Sequence, residues 1–137
     1  MARRALAVAR RPTDTGNLRL LAGQVRKGLP ASDVRSFITR SGLDAKGVLS
    51  VMGISSRTLE RRSEMLLRPD QSDRFARVVR ILRLASEVIG DEPRACTWIQ
   101  SPNRSLRGEK PLELLDTDAG TRLVEDMLGR LSDGVFA

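Results

Sequence analysis

The 137-residue chain contains no histidine, no tyrosine and a single cysteine, Cys96. These absences remove most enzymatic options before any fold is considered. A Ser-His-Asp triad, a histidine metal site and a histidine general acid or base all need an imidazole. One thiol makes neither an internal disulfide nor a cysteine-rich zinc site; its plain reading is a small buried hydrophobe in a reducing cytoplasm. Glu109, Glu113, Asp116 and Asp118 lie close in sequence, yet no partner acid or base accompanies them. They read as helix-start and surface charges. The glycines form no phosphate loop followed by Lys-Ser/Thr. The expectation is a protein that is no enzyme, with no catalytic residues, no cofactor and no metal.

What remains is arginine. Lysine and arginine number 24 against 17 acidic residues, a net charge of +7, and all but Lys27, Lys46 and Lys110 are arginine. Arginine offers a planar fork that matches phosphates and guanine edges. The charge is uneven: residues 1–68 hold 14 basic and 5 acidic side chains, whereas residues 69–137 hold 10 basic and 12 acidic. A basic half joined to a mildly acidic half implies two jobs, one of them on nucleic acid.

The segment best suited to that job is Gly42–Met65. Its pattern is that of a helix-turn-helix: a short helix carrying Val48, Leu49 and Met52, a turn at Gly53, Ile54 beneath the turn, and a second helix locked by Leu59. Leu49 is bulky for its place four before the turn glycine, and a structural helical hairpin would share the pattern. As a reader of DNA, the second helix would present Ser55, Ser56, Arg57, Thr58, Arg61 and Arg62, with free amides at its start for a phosphate.

The remaining elements are also helical. Leu18, Leu21, Ala22 and Val25 share one face before Gly28-Leu29-Pro30. Ser32 is placed to cap a helix with Val34, Phe37 and Ile38 inward and Gly42 as its stop. Asp44 opens the helix over 45–52. The helix after Gly53 is expected to run toward Arg68, with Leu59, Met65 and Leu66 as apolar contacts. After Pro69 the spacing of Phe75, Val78, Val79, Leu82, Ala85, Val88 and Ile89 predicts a long amphipathic helix ended by Gly90. Arg74, Arg77, Arg80 and Arg83 on its other side read as a solvated face. A helix after Asp91 ends near Trp98 and Ile99, a short turn follows Pro111, and Thr117 or Asp118 caps a last helix with Leu123, Val124, Met127, Leu128 and Leu131. No segment alternates like a strand. The expectation is an all-α protein: a basic arm at 1–15, a helix-turn-helix domain at 16–68 and a helical domain at 69–137. No run approaches the length of a membrane span. A dimer is expected, since palindromic operators pair with two-fold readers, with Phe75, Val79, Leu82 or Trp98 near its contact. Trp98 is first a core residue and second an interface one.

The order of segments resembles the Xre/MbcA/ParS family of antitoxins. The resemblance is carried by MGISSRTLERR at 52–62, SDRFARVVRILRLASEVIGD at 72–91, and an ordered set of residues at 97–137. That set is Trp98, Pro102-Asn103, Leu106, Gly108, Pro111-Leu112, Leu114, Gly120, Val124, Leu128-Gly129-Arg130 and Gly134-Val135. The resemblance implies an Xre-like domain followed by a toxin-binding domain. It also implies a partner that is a RES-domain toxin degrading NAD, steric inhibition without chemistry, dimers and larger toxin–antitoxin complexes, and repression of the antitoxin's own operon through operator DNA. Trp98, Asn103, Arg130, Asp133, Gly134, Val135 and Phe136 are then candidate toxin contacts, with Val135 and Phe136 either covering the end of the bundle or entering the toxin's site. The alternative is a stand-alone helix-turn-helix regulator whose second half only dimerises.

Overall fold

A computed structural model describes residues 15–61 and 64–134. Residues 1–14 of the expected arm, Arg62, Val135 and Phe136 lie outside these residues, and Thr15, given to the arm, opens the first helix. The described chain is helical: α1 Thr15–Lys27, α2 Ala31–Ser41, α3 Ala45–Met52, α4 Ser56–Arg61, α5 Pro69–Ile89, α6 Glu92–Ile99, two 3₁₀ turns at Arg104–Leu106 and Pro111–Asp116, and α7 Asp118–Ser132. No strand occurs among the described residues; an isolated antiparallel bridge joins Pro30 to Leu66.

That bridge decides the first half of the fold. The Ala31 amide donates to the Met65 carbonyl at 3.0 Å, and the Leu67 amide donates to the Leu29 carbonyl at 2.8 Å. Residues 65–67 therefore pair with residues 29–31, and the helix over Ser56–Arg61 does not reach Arg68. Extended backbone turns alternate side chains to opposite sides. Leu67 is accordingly buried and Leu66 is 59% exposed, so the apolar contact falls one residue later than helical spacing suggested. Gly28 makes the close approach possible: at φ +96° it sits against the Leu67 carbonyl, where a Cβ would collide. The cap of α2 also differs from expectation. Pro30 occupies that position without a side-chain bond, and Ser32 is exposed.

The other start signals hold. The Asp44 carboxylate accepts from the Gly47 amide at 3.2 Å, and the Thr117 hydroxyl accepts from the Gly120 amide at 3.0 Å. For α5, the Gln71 side chain accepts from the Arg68 amide at 3.1 Å, ahead of Pro69, which needs no amide partner in the first turn.

α5 is packed against by five other elements. Phe75, Ala76, Val78, Val79, Ile81, Leu82 and Ala85 are all inside, covered by α1, α3, α6, α7 and the Pro111–Asp116 turn. Phe75 meets Phe37 of α2 edge to face, with ring centroids 5.5 Å apart at 77°. Such a pair adds about 0.5–1.5 kcal/mol beyond the burial of its area. Because Phe75, Val79 and Leu82 are consumed by the chain's own core, they are not surface available to a second copy. Their burial corrects the expectation that they lie near a dimer contact.

Two members of the arginine row of α5, Arg77 and Arg80, do not form a solvated face. Arg77 pairs with Asp73 at 2.7 Å and donates to the Leu115 carbonyl at 3.3 Å. Arg80 pairs with Glu125 of α7 at 2.6 Å. The Arg77 and Arg80 side chains are only 19% and 28% exposed, so they fasten α5 to the C-terminal elements. In α7, Val124, Met127 and Leu128 are buried and Leu131 is partly so, while Leu123 faces out. Trp98 is half-buried against the core. The Cys96 thiol donates to the Ser41 carbonyl at 3.2 Å, and burial, then the nearby Glu92 charge, hold it in the neutral form.

Asp33, in the first turn of α2, is completely buried, and neither carboxylate oxygen has a hydrogen-bond partner. Burial raises its pKa to about 6. An unfolded Asp titrates near about 3.9, so the folded form holds its proton more tightly. The protein therefore loses stability as pH rises from about 4 to about 6, and the penalty is complete above that. We predict that Asp33→Asn melts higher than the wild type at pH 8 and that the difference shrinks toward pH 4. Thermal melts followed by circular dichroism at several pH values check this; a difference that does not vary with pH would contradict it.

Candidate functional site

The candidate reader is built by α3 and α4. α3 ends in a left-handed Gly53, φ 72°, and the Ile54 amide reaches back to the Leu49 carbonyl at 3.1 Å. That closure is available to glycine because it has no Cβ to strain. Val48, Leu49, Val51, Met52, Ile54 and Leu59 are all buried, so α4 is set against α3 through apolar contacts. Leu49 fits, since the residue is 5% exposed, and the close approach on this helix falls at Gly47, against an element outside the pair. There Leu112 of the Pro111–Asp116 turn packs so closely that a Cβ would stand 3.0 Å from its Cδ2.

The six residues of α4 carry the polar candidates. Ser55, Ser56, Arg57 and Arg61 are exposed, and Thr58 is half-covered. The Ser55 hydroxyl accepts from the Thr58 amide at 3.1 Å and lies 2.8 Å from the Thr58 hydroxyl. One of the amides expected to be free for a phosphate is thus already used as a cap, and the face depends on its side chains instead. Neither Arg57 nor Arg61 enters an ion pair among the described residues. Two unpaired guanidinium groups on one face of an exposed helix suit phosphates or base edges. Arg35 of α2 holds this helix from behind, donating to the Leu59 carbonyl at 3.0 Å. The sequence does not single out Arg35, because an arginine in α2 carries no local sign of a bond 24 residues away.

The second set of candidates does not gather in one place as the first does. Arg130, Asp133 and Gly134 share the exposed end of α7, where the Asp133 amide donates to the Gly129 carbonyl at 3.0 Å. Trp98 belongs to α6, half-buried. Asn103 is an organiser of the following loop: its side chain accepts from the Ser105 amide at 2.9 Å, and its carbonyl accepts from Leu106 and Gly108 at 3.0 and 2.9 Å. Among the described residues no group of His, Cys, Asp or Glu side chains is arranged to hold a metal ion. No described helix is long and apolar enough to cross a membrane.

Residues 20–80 match the family described as the antitoxin Xre-like helix-turn-helix domain. Residues 84–134 match the antitoxin Xre/MbcA/ParS C-terminal toxin-binding domain. The two matches meet inside α5. Among curated proteins, the chain is 32% identical over 121 residues to "Antitoxin Xre" of Yersinia enterocolitica, covering 86% of this chain and 82% of that one. It is 31% identical over 116 residues to "Antitoxin Xre" of Photorhabdus laumondii, covering 82% and 78%. It is also 23% identical over 126 residues to the "Prs ADP-ribosylating antitoxin" of a Sphingobium species, covering 84% and 79%. With an Xre-like reader at its start and a toxin-binding domain behind it, both packed on one long helix, the chain belongs to the Xre/MbcA/ParS family of antitoxins.

Proposed function

We propose that this antitoxin binds and sterically blocks a RES-domain, NAD-degrading toxin and represses its own operon by binding operator DNA through α4. The observation that carries the reading is the pairing of two unlike surfaces on one frame. α4 exposes Arg57 and Arg61, which enter no ion pair among the described residues, and the other end of the frame is a helical region, residues 84–134, matching a toxin-binding domain. The family resemblance supplies the RES identity of the partner, the dimer and the larger toxin–antitoxin complex. In this reading residues 16–68 serve DNA and residues 69–137 serve the toxin and dimerisation. The protein acts without chemistry of its own: it occupies the toxin's site.

On DNA, Arg57 takes a guanine edge and Ser55, Ser56, Thr58, Arg61 and Arg62 take phosphates or neighbouring bases. Arg57→Ala is expected to weaken operator binding by about 1–3 kcal/mol and random DNA much less. Titration of both duplexes by fluorescence anisotropy checks this; an equal loss on both makes Arg57 a phosphate contact, and no loss removes it from the site.

On the toxin, Val135 and Phe136 enter the concave site, with Arg130, Asp133 and Gly134 around its mouth and Trp98 and Asn103 as further contacts. A buried aromatic of this kind often dominates an interface, at about 2 kcal/mol or more. Deleting residues 134–137 is expected to leave the melting temperature and operator binding unchanged and to abolish protection of cells co-expressing the toxin. Full protection by the truncated chain would place the toxin contact elsewhere in residues 97–131; a large drop in melting temperature would make the tail part of the core.

A further inference from the structure

The loop between α6 and the Pro111–Asp116 turn is unusual in both charge and build. Arg104, Arg107 and Lys110 are exposed, and none enters an ion pair among the described residues. Glu109 is the one carboxylate among them. This local excess of positive charge stands in the half of the chain whose balance is acidic.

The loop is also rigid. The Asn103 amide donates to the Glu109 carbonyl at 3.0 Å, the Glu109 amide to the Leu106 carbonyl at 3.1 Å, and the Arg107 amide to the Arg104 carbonyl at 3.1 Å. Arg107 is the only non-glycine at positive φ among the described residues, at φ 57° and ψ 34°. A side chain is disfavoured in that left-handed region, which glycine occupies freely. An arginine is kept where a glycine would be relaxed, in a loop that its own hydrogen bonds hold still.

The loop's anchorage points to what it faces. The Asp44 amide, at the start of α3, donates to the Gln100 side chain at 2.7 Å. Leu112 packs on Gly47 in the first turn of the same helix. The loop is therefore fastened at both of its ends to the start of α3, beside the exposed Lys46. When the second helix of a helix-turn-helix enters the major groove, the first crosses the phosphate backbone. A cationic loop fixed to that first helix is carried to the backbone with it.

We propose that the Arg104–Lys110 segment of this loop is a second, sequence-independent DNA contact, with Arg104, Arg107 and Lys110 on phosphates beside the groove that α4 reads. The inference rests on the DNA-binding reading above and adds a residue set from outside the helix-turn-helix. It makes the DNA footprint a product of the whole chain.

The test uses the full chain and two duplexes of equal length: the DNA preceding its own gene, and a scrambled sequence. Affinity is measured by anisotropy across a range of salt concentrations for the wild type, for Arg107→Gly, and for the triple variant Arg104→Gln/Arg107→Gly/Lys110→Gln. Glycine takes the backbone shape of residue 107 without strain, so both variants are expected to melt at or above the wild-type temperature. Each lost phosphate contact lowers the slope of log affinity against log salt by roughly 0.9. The triple variant is expected to lose about 2–3 in slope, and Arg107→Gly about 1, equally on both duplexes. An unchanged slope in variants of a wild type that binds DNA overturns the proposal. An unchanged slope with weakened toxin co-purification also overturns it, and assigns the loop to the protein partner. A wild type that binds neither duplex sinks the DNA-binding reading itself, which is a different result.

Discussion

Phe75 packs edge to face on Phe37 from the second turn of α5, the helix on which most of the other elements pack. α5 buries side chains toward α1 and α3 and, around its circumference, toward α6, α7 and the Pro111–Asp116 turn. A helix that buries this many apolar side chains against five neighbours is stable only while they cover it, and its polar stripe is left to ion pairs such as Arg83–Glu87. Neither half of the chain owns it. The buried residues from Leu21 to Leu128 form one connected core, and the polar contacts follow suit, with Arg80 tied to Glu125, Arg77 to Leu115, and Gln100 to Asp44. The Xre-like and toxin-binding regions meet within α5, so their boundary in sequence is a shared support in space.

This arrangement gives the family's two surfaces a fixed relation. α4 is held by Leu59 below, by Arg35 behind and by α3 beside it. α3 is in turn pressed by Leu112 from the toxin-binding region, with Gly47 cleared to admit it. A load on α7 or on the Asn103 loop reaches α3 through packed side chains rather than through a linker. Asp33 adds a weakness in the same frame: a fully buried carboxylate with no partner among the described residues lowers stability at neutral pH. Stability is set by coverage of one helix, with that carboxylate subtracting from it.

Much of the architecture is legible in the sequence because its causes are local. The three- and four-residue spacing in α5 and α7, the Asp44 and Thr117 caps and the Gly53 turn each act within a few residues, and each is found where expected. The departures have distant causes. α4 does not reach Arg68, because residues 65–67 pair with residues 29–31; nothing within Met65-Leu66-Leu67 announces that partner. The arginines of α5 look solvated in sequence because Glu125, 45 residues from Arg80, is not visible as their neighbour. Phe75, Val79 and Leu82 look like surplus apolar groups suited to a dimer until the amount of chain folded around α5 is seen. For the candidate site, Ser55, Ser56, Arg57 and Arg61 are readable as exposed around a buried Leu59. The support from Arg35, and the cationic loop built on Asn103, require three dimensions.

Whether both regions are held by one core can be read from native-state hydrogen exchange, because it resolves which amides open together. If α5 is shared, amides in α3, in the middle of α5 and in α7 exchange through a single opening, with the same free energy and the same denaturant dependence. If instead the amides of α6 and α7 open at a markedly lower free energy while α2 and α3 stay protected, the two regions are independent and α5 is not their common support.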